Sequence, residues 1–146
     1  MPTNIFVSYP TDDLARSKAF YTALGAVINP LFSDENALCL GWDENIFTMV
    51  LKREFFATFT DKQIGDTAST AQFQIAFSRD SREEVDVVIE AGLAASGSEH
   101  GEAQDYGFMY SRDLEDPDGN IVSFNYMVPE AAELGPEAYL AKQAQV

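Results

Sequence analysis

Two stretches of this chain run through one order of elements, a strand, a helix and three more strands, and that duplication limits the folds open to it. In the first, Ile5, Val7 and Tyr9 alternate with Asn4, Phe6 and Ser8, which predicts a strand over 4–9. Thr11-Asp12-Asp13 can cap the helix that follows, because acceptor side chains there satisfy free backbone N–H groups and acids suit the positive helix end. Leu14, Ser17, Tyr21 and Leu24 recur at helical spacing, with Phe20 beside them, and Gly25 suits the stop. Strands are expected over 26–32, 37–42 and 46–51, the last two joined by a turn at Asp43-Glu44-Asn45.

In the second stretch, Phe73, Ile75 and Phe77 alternate with Gln72, Gln74, Ala76 and Ser78, which predicts a strand over 71–78. Ser81-Arg82-Glu83-Glu84 is a capping box, and Val85, Val88 and Ile89 make the apolar stripe of a helix ending near Gly92. A loop over 97–104 and a strand over 106–112 are expected next. Asp116-Pro117-Asp118-Gly119-Asn120 is a turn: proline presets φ, glycine takes positive φ, and Asp and Asn side chains bond nearby backbone. The strand after it puts Val122, Phe124 and Tyr126 on one face and Ser123, Asn125 and Met127 on the other.

Phe6 aligns with Gln74, Asp12 with Asp80, and Asn45-Ile46 with Asn120-Ile121, which sets Thr48 against Ser123. Identity between the halves is low, so order and spacing carry the repeat. The expected fold class is α+β, with two βαβββ modules over 4–53 and 71–127 forming one curved mixed sheet around a cleft, helices on its outer face. Residues 1–128 read as a single domain and 129–146 as a helical tail that docks on the surface or covers a partner subunit. The connection over 54–70 carries Phe55, Phe56 and Phe59, which suits a plug at the core edge, a dimer contact or a lid over a cleft.

Composition limits the partners. Of 146 residues, 24 are Asp or Glu against 9 Lys or Arg, a net charge of −15 that disfavours nucleic acid and anionic membrane surfaces. No apolar run reaches the length of about 18 residues that a membrane-spanning helix needs, and the N-terminus lacks the pattern of a signal peptide. Cys39 is the sole cysteine, so no intrachain disulfide forms, which fits a cytoplasmic setting.

The helix Asp13-Leu14-Ala15-Arg16-Ser17-Lys18-Ala19-Phe20-Tyr21, with Leu24-Gly25, and the turn Asp116–Asn120 resemble the first helix and last turn of the vicinal oxygen chelate superfamily. Its members include glyoxalase I, bleomycin-resistance proteins and extradiol dioxygenases, and the resemblance spans about Asn4 to Met127. It implies paired modules and, often, a homodimer. It also implies a divalent metal held by His, Glu or Gln on inward residues of the first, fourth, fifth and last strands. Carried over, those positions fall on Phe6, on Thr48 (Met49 if the register slips by one), on Gln74 and on Ser123.

Phe6 cannot coordinate, Thr48 and Ser123 are weak neutral donors, and Gln74 alone does not hold a catalytic ion. His100 is the sole histidine, so one chain cannot build a site of two histidines and a carboxylate. It sits among Ser96, Gly97, Ser98 and Gly101 and reads as exposed, with a general acid or base at the cleft mouth as the other role. Asp113, Glu115, Asp116 and Asp118 read as a solvated acidic turn rather than a calcium loop. Arg112 either meets an anionic ligand or pairs with nearby acids. The expected cleft face is Asn4, Phe6, Ser8, Thr48, Gln72, Gln74, Ser78, Ser123 and Asn125, bordered by Tyr106 and Tyr110. Hydroxyls, amides and a ring suit hydrogen bonding and stacking. The expectation is therefore a binding protein for a small molecule, with no cofactor. The alternative is a metal-dependent glyoxalase- or dioxygenase-like enzyme.

Overall fold

A computed structural model describes residues 2–145. The first module consists of β1 (Ile5–Thr11), α1 (Leu14–Ala23), β2 (Val27–Ile28), β3 (Ala37–Asp43) and β4 (Ile46–Lys52). Next come α2 (Arg53–Phe56) and the connection. The second module is β5 (Gln74–Ser78), α3 (Arg82–Ala94), β6 (Ser98–Glu99), β7 (Gln104–Asp105), β8 (Met109–Glu115) and β9 (Ile121–Met127). The tail forms α4 (Pro129–Leu134) and α5 (Pro136–Gln143).

The α+β class and the duplicated modules are as expected, but hydrogen bonding divides the strands into two sheets. Their orders are β1-β4-β3-β2 and β5-β9-β8-β6, with β7 also on β8. In each, the first strand runs parallel to the last, and the others pair antiparallel. Strand limits also differ from the sequence reading. The segment expected as a strand over 26–32 keeps only Val27–Ile28, because Pro30 opens a 3-10 turn whose start is capped by the Asn29 side chain. The strand expected over 71–78 begins at Gln74, the loop expected over 97–104 holds β6 and the start of β7, both paired to β8, and the strand expected over 106–112 lies at Met109–Glu115.

Both helices start as their caps dictate. The Asp13 carboxylate accepts from the Arg16 N–H at 3.1 Å, and the Ser81 hydroxyl from the Glu84 N–H at 3.1 Å. One core receives both modules: Phe20 and Tyr21 of α1 with Leu24 at its C-terminal cap, Val85 and Ile89 of α3, and Tyr9, Leu40, Val50, Leu114, Val122 and Phe124 of the sheets. Fully burying each such side chain contributes roughly 2 kcal/mol. Gly92 lets α3 approach closely, since a Cβ there would strike the Leu114 side chain. Trp42 of the first sheet stacks on Phe77 of the second at 4.1 Å, while its indole N–H donates to Thr48 at 3.0 Å.

A polar joint adds to this. Asp116 and Asp118 are buried, at 4% and 8% exposure, so the turn is not the solvated acidic loop that its composition suggested. Asp116 accepts from the N–H groups of Asp118 and Asn120, both at 2.9 Å, from the Asn120 amide at 3.0 Å and from the Tyr21 hydroxyl at 2.6 Å. Burial pushes its pKa above the usual carboxylate range, and the bonds from Tyr21 and Asn120 pull against that shift. Asp118 accepts from the Thr11 hydroxyl at 2.5 Å, the Asp12 N–H at 3.0 Å and the Arg16 guanidinium at 2.8 Å. It thereby ties the last turn of the second module to the first helix of the first.

Asp118→Ala strands a buried hydroxyl and the guanidinium. The expected cost is about 2–3 kcal/mol, less than for a fully buried pair because Arg16 is partly exposed. Urea unfolding at neutral pH measures it, and a loss under about 0.5 kcal/mol contradicts the joint.

Candidate functional site

Each sheet has one face covered by its helix and one left open. Strand register assigns the residues: Val7 and Tyr9 share the covered face with Thr48 and Val50, while Phe6 and Ser8 share the open face with Phe47 and Met49. In the second sheet, Ile75, Phe77, Val122 and Phe124 are covered. Gln74, Ala76 and Ser78 lie on the other face beside Ile121, Asn125 and Ser123, the last buried there at 1% exposure.

Several expected site residues change place. Thr48 is buried at 1% exposure and faces the core, bonded by Trp42, so Met49 takes its position on the open face. The register differs because β3 and β4 join through the short Glu44-Asn45 loop, with Asp43 opposite Ile46, whereas the Asp116–Asn120 loop pairs Glu115 with Ile121. Tyr110 and Arg112 are also on the covered face, opposite Tyr126 and Phe124. There the Tyr110 hydroxyl donates to Asp86 at 2.6 Å, and Arg112 meets Asp86, Glu90 and Glu99 at 3.0, 3.4 and 3.1 Å. Those acids on and beside α3 neutralise the guanidinium, so it is not presented to the open face. Tyr106 lies in a loop, stacked on Phe108 with centroids 5.9 Å apart. His100 is exposed, as expected, with its ring 3.3 Å from Glu115.

The open faces differ in chemistry. The first is apolar: Phe6 stacks on Phe47 at 5.0 Å, and Phe6 itself is 57% exposed. The second is polar. Ser123 donates to the Asp113 carboxylate at 2.5 Å and accepts from the Gln74 amide. Sequence reading grouped Asp113 with the turn acids. Counting outward from that turn, Glu115 against Ile121 and Asp113 against Ser123, is the signal that would have found it.

These residues test the metal that the fold family implies. Phe6 and Met49 offer no ligand atom of the kind such ions need. Gln74 and Ser123 are neutral and bonded to each other, leaving one carboxylate, Asp113. Among the described residues, no group of three or more His, Cys, Asp or Glu is placed to hold an ion. The donor set does not fit a catalytic metal.

A cavity of about 390 Å³ lies where the end of β1 meets the starts of β5 and β9. Ser8 and Pro10 form one wall, Phe73 and Ile121 another, and Phe56 and Ile64 of the connection contribute a third. Gln72, Gln63 and Lys62 add polar groups. Of the sequence candidates, Ser8 and Gln72 meet here, while Thr48 and Asn125 line a separate cavity between the sheets. Part of the connection after Phe55 thus roofs a pocket, and the Thr67 hydroxyl anchors it by donating to the Asp118 carbonyl.

The fold is that of solved glyoxalase/bleomycin resistance/dioxygenase structures, the fold that the sequence motifs suggested. Residues 3–42 match a family described as bleomycin resistance protein-like, N-terminal. The chain is similar to the crystal structure of a glyoxalase/bleomycin resistance protein/dioxygenase family enzyme from Burkholderia phytofirmans, with 20% identity, TM-score 0.70, and 84% of this chain and 97% of that one covered. It is similar to a hypothetical protein from S. aureus at 21% identity and TM-score 0.71, covering 88% and 94% of the two chains. A fosfomycin resistance protein from Listeria monocytogenes is similar at 16% identity and TM-score 0.63, with 89% and 97% covered. At these identities the likeness is one of fold. No curated protein matches the sequence. Among the described residues, no helix is long and apolar enough to cross a membrane.

Gly119 sits at φ +93° directly under the roof, where a Cβ would meet the Thr67 carbonyl. Gly119→Ala is expected to cost about 2–3 kcal/mol through backbone strain and that overlap. It should also loosen the roof, read as faster proteolytic cleavage within 60–73 than in the parent protein.

Proposed function

We propose that this chain is a bleomycin-resistance-like binding protein that takes a small molecule in the pocket beneath the connection and uses no metal to do so. The observation that carries the reading is the exchange of chemistry at the fold's metal positions. Phe6 and Met49 supply a ring and a thioether, and Ser123 is engaged by Gln74 and Asp113. Beside them is a mostly apolar pocket whose size suits a drug-like molecule. Such a site binds by excluding water and by directing a few hydrogen bonds. It lacks a group placed to activate water or to polarise a carbonyl.

Purification without chelators followed by elemental analysis tests the metal half. Substoichiometric Ni, Zn, Mn and Fe are expected, with no rise in thermal midpoint when each is added. Stoichiometric metal that supports turnover of a hemithioacetal or a catechol overturns the proposal in favour of an enzyme.

The same reading includes a homodimer. Phe6 is 57% exposed and stacks on Phe47 on the open face, and contact with a second copy removes such surface from water. Native mass measurement at micromolar concentration should give twice the chain mass. Phe6→Asp should shift it to the monomer, since a carboxylate on that face costs desolvation in the interface. A monomeric parent protein contradicts the dimer.

A further inference from the structure

The pocket's electrostatic sign runs against the rest of the molecule. The chain carries 24 Asp and Glu among 146 residues, yet among the described residues no carboxylate lines this cavity. Its single charged lining residue is Lys62. Among the described residues Lys62 makes no ion pair, as Lys18, Lys52 and Arg79 make none, whereas Arg16, Arg53, Arg82, Arg112 and Lys142 are paired with acids; of the four unpaired cations only Lys62 lines this cavity. In a chain of net charge −15, a pocket without acids and with one unpaired ammonium is a place where an anion meets little repulsion.

The walls determine the rest of the ligand. Pro10, Phe73, Ile121, Phe56 and Ile64 offer apolar and aromatic surface, and the volume of about 390 Å³ fits a molecule of one to two fused rings. Resting on the reading that this pocket binds a small molecule, we infer that its ligand is an aromatic monoanion, a fused-ring carboxylate or sulfonate. Its ring body enters between Pro10 and Ile121, and its acid group lies at the mouth beside Lys62. The arrangement leaves the charges partly hydrated, so neither ion bears the full cost of burial. A cationic ligand is disfavoured there because only Lys62 is charged. A dianion would leave one charge without a partner.

Two dyes of similar shape separate charge from shape: anilinonaphthalenesulfonate, which carries the anion, and N-phenylnaphthylamine, which is neutral. Fluorescence titration of the full chain should give one saturable site per chain for the anion, with affinity falling as salt rises. Lys62→Gln should weaken the anionic dye about fivefold, the upper range for an exposed ion pair, and leave the neutral dye unchanged. Ser8→Trp, a change at an exposed open-face position, should fill the pocket and remove both, with circular dichroism confirming that the fold is retained. If Lys62→Gln leaves the anionic dye unchanged, or weakens both dyes alike, while Ser8→Trp still removes both, the assignment of an anion fails and the pocket reading stands. If neither dye binds, or Ser8→Trp changes neither, the pocket reading fails with it.

Discussion

Asp118 holds the structure's parts in register. One carboxylate takes a hydroxyl from the end of β1, a backbone N–H from the link after it and a guanidinium from α1, while its own backbone belongs to the turn before β9 and its carbonyl anchors the connection through Thr67. Three segments far apart in sequence therefore share one buried group. Charge-assisted bonds of this kind are directional, unlike apolar contact, and a directional bond sets how two modules meet as well as that they meet. Asp116 beside it does the same for Tyr21, whose ring stands edge-on to Trp42 at 6.1 Å. The pocket follows from this joint, because its floor is the turn and its roof is the segment the turn holds.

The covered faces and the open faces divide the labour. Covered faces are mainly apolar in both modules, with Thr48 and Arg112 as bonded exceptions, and merge into one core. Open faces are free of that constraint, and they have diverged: aromatic and thioether groups in the first sheet, amide, hydroxyl and carboxylate groups in the second. A catalytic metal would require both open faces to supply charged or imidazole donors. Here the first supplies none, and the donors of the second satisfy one another.

Much of the fold was legible in local pattern. The alternations at Ile5–Tyr9 and Phe73–Phe77, the caps at Asp13 and Ser81, and the turn at Pro117–Asn120 each rest on a short-range cause, and each appears where that cause acts. Pro30 broke a strand that its apolar neighbours favoured, since local chemistry there opposed the pattern. The site was less legible. Ser8 and Gln72 meet at the pocket and Ser123 and Gln74 on the open face, but Thr48, Tyr110 and Arg112 face the covered side. With side chains alternating every residue, a difference of one in loop length turns a strand over, and the two hairpins differ in loop length.

The sequence by itself determined a strand and helix followed by further strands in each module, most residues that make the core, and a histidine count too low for the superfamily's two-histidine sites. Those properties depend on composition and on neighbours a few positions away. Tertiary structure alone decided that Asp116 and Asp118 are buried, that Asp113 stands next to Ser123, and that acids are kept away from a pocket in an acidic chain. Each of these depends on which distant segment arrives beside the residue, and that is settled by packing two modules around one core and one buried carboxylate.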